Sequence, residues 1–326
     1  MMKFWMKILG GLLILAGLIY LPWTIKSPYF LHIIIVSGIF VLLASSLNLI
    51  TGCTGRLNLG HAAFYGIGAY SSTLLVMKLG ISVWFGMPLA GLITVFFGIL
   101  IGIPCLKLKG AYLAITTLAF GEITRLAMMN LVPLTNGPLG IRGIPGPPPI
   151  IFRNSLLISF DSKISYYYLL LALCLVCLLI IKRLLNSQIG RTFMAIREDE
   201  VRAETVGIDT TQIKIMNFAL GAFFAGIAGS FYAHYVRFIS PDTFTLNETF
   251  TILTMVVIGG LGTFYGPIVG GIIFTFLPEL LRAIAEYRMM IYGLMMSVAI
   301  IFMPEGIIGI LQSWIPWRIK KGLKLE

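Results

Sequence analysis

Long apolar runs recur along almost the whole of this 326-residue chain, and they limit what it can become. A helix that crosses a bilayer needs about 20 mostly apolar residues. Runs of that kind occur at about 5–22, 29–50, 61–77, 83–106, 111–132, 165–181, 214–236, 249–281 and 288–304. Hydrophobic residues make up 58% of the chain and charged residues only 11%, where a soluble domain carries about 25% charged. Mean hydropathy is +0.95. A water-soluble fold cannot bury so much apolar surface, which excludes an ordinary soluble enzyme, a disordered chain and a secreted disulfide scaffold. The sequence predicts an all-α, polytopic integral membrane protein. Lys3 and Lys7 precede the first run, but YLPWTIKSP follows it without a small-residue cleavage site, so the run reads as a retained helix.

The stretch 249–281 decides the number of spans. As one helix its 33 residues would reach about 50 Å against a hydrocarbon core of about 30 Å. Its middle, GGLGTFYGPIVGG from Gly259 to Gly271, is rich in breakers. Two short helices with a turn near Gly262–Pro267 give ten spans and both termini on one side. That side then holds fifteen Lys and Arg against eight, with Arg125 inside a span; a single long helix gives nine spans and thirteen against ten. The positive-inside rule favours about ten spans with cytoplasmic termini, and nine is the alternative.

The same count places the Pro- and Gly-rich loop 133–164 outside and the charged loop 182–213 in the cytoplasm. Within the latter, residues 193–206 are expected to form a short helix ending at Gly207, with Glu198-Asp199-Glu200 near its start. Such a helix either docks into a cleft of a partner or is a solvated loop. Glu122 lies midway through the fifth run with Arg125 three residues on, so the two share a helix face. A charge at that depth is costly and must find protein or water. It serves as a pathway or gate group, or as half of a structural ion pair. Gly259, Gly260, Gly262, Gly266 and Pro267 mark a helix break of the kind that lines transport paths. His32, His61 and His234 are widely spaced and read as packing residues, as do Cys53, Cys105, Cys174 and Cys177. No metal or nucleophile motif and no GxxxxGK[ST] loop occurs, so catalytic residues and cofactors are expected to be absent from this chain.

Several long stretches resemble the permease subunits of bacterial high-affinity branched-chain amino-acid ABC transporters, the LivM type. They are GRLNLGHAAFYGIGAY (55–70), LKGAYLAITTLAFGEITRL (108–126), LTNGPLGIRGIP (134–145), RTFMAIREDEVRAETVGI (191–208), FALGAFFAGIAGSFYAHYVRFISPDTF (218–244), VIGGLGTFYGPIVGG (257–271) and MPEGIIG (303–309). The resemblance implies a single transmembrane permease domain over 1–326, with its family core at about 30–310, in a bacterial inner membrane. It implies a second permease of the LivH type, two cytoplasmic ATPases that bind ATP and Mg, and a periplasmic or lipid-anchored binding protein that can meet the outer loop. It makes the cytoplasmic loop the ATPase-coupling element, through Arg197, Glu198, Asp199, Glu200, Ala203, Glu204 and Gly207. That loop is loosely similar to the EAA loop of bacterial importers: Ala203 and Gly207 keep the A-x-x-x-G spacing, while Val201 and Arg202 stand where Glu and Ala would lead. Transport by alternating access is the expectation. The rivals are an ABC permease for a sugar, amide or polar amino acid, and an ion-coupled carrier using Glu122.

Overall fold

The computed structural model describes residues 16–25, 27–108, 110–152, 155–160, 162–280, 287–303 and 306–309. The first part of the expected span at 5–22 and the basic positions 318–324 lie outside the described residues. Helix covers 16–24, and the described chain then runs α1 (Pro28–Leu47), α2 (His61–Leu79), α3 (Val83–Gly102), α4 (Gly110–Asn130), α5 (Lys163–Asn186), α6 (Gln188–Glu198), α7 (Glu200–Thr205), α8 (Thr210–Val236), α9 (Leu246–Gly260), α10 (Gly266–Leu280) and α11 (Arg288–Phe302). Among the described residues, Pro28–Gly52, Val83–Gly102, Lys163–Asn186 and Thr210–Val236 are long and apolar enough to cross a membrane, and Gly266–Leu277 is a shorter apolar segment.

Local chemistry sets the boundaries. Pro28 occupies the first turn of α1, where its missing N–H is no loss. Gly80, at φ 67°, closes α2. Ser162 and Asp209 cap α5 and α8 by accepting from Ser165 N at 3.2 Å and Gln212 N at 3.0 Å. The loop 133–164 is more ordered than its composition predicts. Ile141–Arg142 (β1) pairs antiparallel with Phe238–Ile239 (β4), and Ile150–Phe152 (β2) with Ser155–Ile158 (β3).

The core gathers around α8, which packs on α1, α2 and α3. Small residues allow this: a Cβ on Gly68 of α2 would fall on the Gly226 backbone, and one on Gly229 would fall on Tyr65. Gly68→Ala should therefore cost about 1–3 kcal/mol through forced separation of two helices. Gly293→Ala, where a Cβ meets nothing, is the control. Thermal unfolding in detergent checks both, and equal midpoints would refute the close-packing account.

The described part of this stretch, 249–280, is two helices. A Cβ on Gly259 would strike Gly266, and one on Gly270 would strike Met255. These two pairs keep one antiparallel register, so α9 and α10 form a tight hairpin with Pro267 in the first turn of α10. On its other side α10 packs antiparallel to α1, with Gly271 against Val41 and the 263 carbonyl on Asn48. The buried histidines are packing residues, as expected: His61 Nε2 meets Ser46 Oγ at 2.8 Å and His234 Nε2 meets Ser72 Oγ at 2.8 Å.

Candidate functional site

The expected helix over 193–206 is interrupted. Asp199 is extended (φ −160°, ψ 108°) and ends α6, and its carboxylate caps α7 by accepting from Val201 N at 3.0 Å and Arg202 N at 3.1 Å. An Asp side chain competes with helical continuation by bonding the amides just ahead of it. The acidic triplet thus ends α6 at Glu198 and starts α7 at Asp199 and Glu200.

Four of the seven loop residues singled out from sequence face inward or hold the loop together. Asp199 is the cap just described. Ala203 is on the inward side of α7 and is 3% exposed. Glu200 pairs with Lys214 at the foot of α8 and reaches Arg56 at 3.8 Å, with Lys214 and Arg56 side chains only 4% and 7% exposed. Arg56 also donates to the Cys105 carbonyl at 2.9 Å. Burial lowers the Arg56 pKa from its ordinary value and the Glu200 charge opposes that shift. Arg197 sends its guanidinium to the Gly52 carbonyl, 2.6 Å away. The other three lie at the surface: Glu198, Glu204 (which accepts from Thr210 at 2.6 Å) and Gly207, at φ 86°. Sequence reasoning gave no docking role to Val201 and Val206, which are 64% and 76% exposed. Two apolar side chains standing out of a charged loop are the signal that was available.

Arg197 joins this loop to the broken helices. Its hydrogen-bond partner belongs to a π-helical turn, Asn48–Gly52, that extends α1. Such turns leave backbone groups off the regular ladder and often mark working sites. The side chain of Asn48 occupies the gap: Nδ2 donates to the Thr263 carbonyl at 2.9 Å and Oδ1 accepts from Gly262 N at 2.8 Å. Gly262 sits at φ 75°, and a Cβ there would collide with the Arg197 guanidinium. The turn between α9 and α10 is therefore held between Asn48 on one side and Arg197 on the other. Of the five break residues, Gly262 meets the loop directly, Gly259 and Gly266 touch each other, Gly260 lies against Gly306, and Pro267 starts α10.

Glu122 and Arg125 are a different site. Arg125 Nη2 approaches Glu122 Oε1 at 2.5 Å and its Nε lies 3.1 Å from both carboxylate oxygens. Arg125 also stands 3.8 Å from Asp242. Glu122 borders a mostly apolar cavity of about 170 Å³ between α2, α4 and the start of α9, with Leu59, Ala62, Leu118 and Phe244. The α4 face beyond it is largely exposed. The carboxylate has a partner on its own helix and remains beside a cavity. Among the described residues no cluster of His, Cys, Asp and Glu could hold a metal ion.

Residues 29–300 match the family described as the branched-chain amino acid transport system permease component. The chain is 37% identical to the high-affinity branched-chain amino acid transport system permease protein LivM of Salmonella typhimurium, over 83% of this chain and 68% of that protein. It is 25% identical to a probable branched-chain amino acid transport permease protein LivM of Methanocaldococcus jannaschii, over 83% of this chain and 90% of the relative. The permease protein LivH of Escherichia coli K12 is 24% identical, over 83% and 91%. No solved structure matches.

Proposed function

This chain belongs to the permease family of branched-chain amino acid transport systems, and from that membership we propose that it is one membrane subunit of an ATP-driven importer for leucine, isoleucine, valine or related amino acids. Its companions are a LivH-type permease, two cytoplasmic ATPases that bind ATP and Mg, and a solute-binding protein. It lies in a bacterial inner membrane as a ten-span, single-domain permease over 1–326 with both termini in the cytoplasm. The turn between α9 and α10 supports that topology, because it lies beside Arg197 and Gly52, at the end of the bundle that carries the 182–213 loop. The Lys and Arg asymmetry supports it as well.

One observation carries the coupling role: the loop is anchored within the chain through Arg197, Glu200 and Ala203 while Val201 and Val206 stand exposed. An ATPase cleft that grips this face moves α7. Arg197 and Asn48 transmit the motion to the Gly262 turn, and α9 and α10 then shift against α1. The cavity beside Glu122 and the Gly259–Pro267 break belong to the path that this motion opens and closes. Uptake of labelled leucine in proteoliposomes tests the reading, using the four kinds of subunit with and without internal ATP. It is expected to need both ATP and the binding protein. Uptake that ignores ATP and follows an ion gradient would refute it. Val201→Asp with Val206→Asp is expected to abolish recovery of the ATPases with the permeases, because a charge in an apolar cleft is strongly disfavoured. Normal recovery would reject this face as the docking surface.

A further inference from the structure

Near the β4 end of α8, a cavity of about 400 Å³ lies between α1, α2, α8 and the start of α9. That volume falls within the range of ligand sites, about 300–1,000 Å³. Its wall is divided by chemistry. Asp242 and Glu248 supply carboxylates, and Tyr65 and Tyr232 supply aromatic rings with centroids 5.4 Å apart. Val36, Ile39 and Phe40 of α1 supply an aliphatic and aromatic bed. No Lys or Arg is among the described residues that line it. A neighbouring cavity of about 330 Å³ shares His32 and Val236 with it, and there the charged residues are Lys163 and Arg237. Anionic chemistry thus lies on one side of His32 and cationic chemistry on the other.

We propose that the first cavity receives a free α-amino acid, with its ammonium at Glu248 beside the Tyr65 and Tyr232 rings and its aliphatic side chain against Val36, Ile39 and Phe40; Asp242, which also faces Arg125 at 3.8 Å, adds to the anionic wall. Aromatic faces beside carboxylates suit an organic ammonium, which gains cation–π as well as ionic attraction. A site for a bare inorganic cation would be built of oxygen donors alone and would have no use for the apolar bed. The assignment rests on the importer reading and adds to it where the solute is held within this chain.

The test uses the purified permease pair in detergent and the complete transporter in proteoliposomes. Three probes are added to the pair: leucine, isopentylamine (no carboxylate) and 4-methylpentanoate (no ammonium). Leucine and isopentylamine are expected to raise the unfolding temperature, and 4-methylpentanoate is not. Glu248→Gln keeps the shape and removes the charge. It should erase both shifts and lower leucine uptake about tenfold or more, the loss expected for one charge-assisted hydrogen bond. Stabilisation by 4-methylpentanoate equal to that by leucine overturns the proposal. So does an equal shift from sodium chloride alone. Wild-type uptake that survives unchanged in Glu248→Gln overturns the cavity assignment and leaves the importer reading standing. Absence of ATP-dependent leucine uptake in the wild type overturns both. If the variant fails to assemble, the three probes on the wild-type pair decide the matter.

Discussion

Glu200→Ala is expected to lower the stability of the permease by about 3–5 kcal/mol, because it removes the shared anion from two buried cations. Lys214 and Arg56 side chains are 4% and 7% exposed, and both turn toward Glu200. Neither can reach water without moving the foot of α8 or the segment between α1 and α2. The penalty comes from stranding charge and not from losing one attraction. The Arg202–Asp199 pair is the internal comparison. Its N···O distance is 3.0 Å, shorter than the Arg56 contact, yet the Arg202 side chain is 88% exposed. Exposed pairs contribute about 0–1 kcal/mol, so Arg202→Ala should scarcely move the unfolding midpoint. Thermal unfolding of both variants in one detergent decides it. Similar midpoints for the two would mean that water reaches Lys214 and Arg56.

Arg197→Ala is expected to separate ATP hydrolysis from uptake. The side chain makes one charged hydrogen bond, at 2.6 Å, to a carbonyl of the π-helical turn. It also fills the space that Gly262 leaves open. A hydrogen bond to a charged group is worth about 1.5–3 kcal/mol, which corresponds to about a ten- to hundredfold change in a rate or an equilibrium. Leucine uptake should fall by that factor while hydrolysis continues, since Val201 and Val206 still present the docking face. Gly262→Val should act the same way from the other side, with the added strain of a branched side chain at φ 75°. Parallel loss of hydrolysis and uptake in Arg197→Ala would show that the residue supports docking instead of transmission.

The reading from sequence succeeded where the signal was local. Apolar length marked the helices. The spacing of Glu122 and Arg125 put them on one helix face and left an ion pair as one of two readings, and the Lys and Arg count favoured two helices over one across the glycines around Gly262. Two features needed the fold. Glu200 meets Arg56 from a distant part of the sequence, and no periodicity joins them. Asn48 appeared as one polar residue at the end of an apolar run, and its two bonds to the Gly262 turn exist only because α10 lies along α1. Asp199 was misread for another reason. Its propensity to cap competes with helix continuation, and in a charged segment with little apolar periodicity the cap wins. Asp242 and Glu248 escaped notice because each stands alone among polar neighbours, and the cavity that unites them is assembled from four helices.

The contacts that hold the Gly262 turn differ from the Glu200 network in one respect that bears on inheritance. Glu200 and Lys214 are both side chains, so an exchange of their charges is a conceivable second-site repair. Arg197 and Asn48 address main-chain groups: the carbonyls of residues 52 and 263 and the amide of 262. No point mutation removes or recreates the two carbonyls, and only a proline at 262 would delete that amide's hydrogen. A genetic screen for suppressors of a damaged Arg197 should therefore return no compensating partner at 52 or 262, and survivors should carry changes that shift the helices themselves.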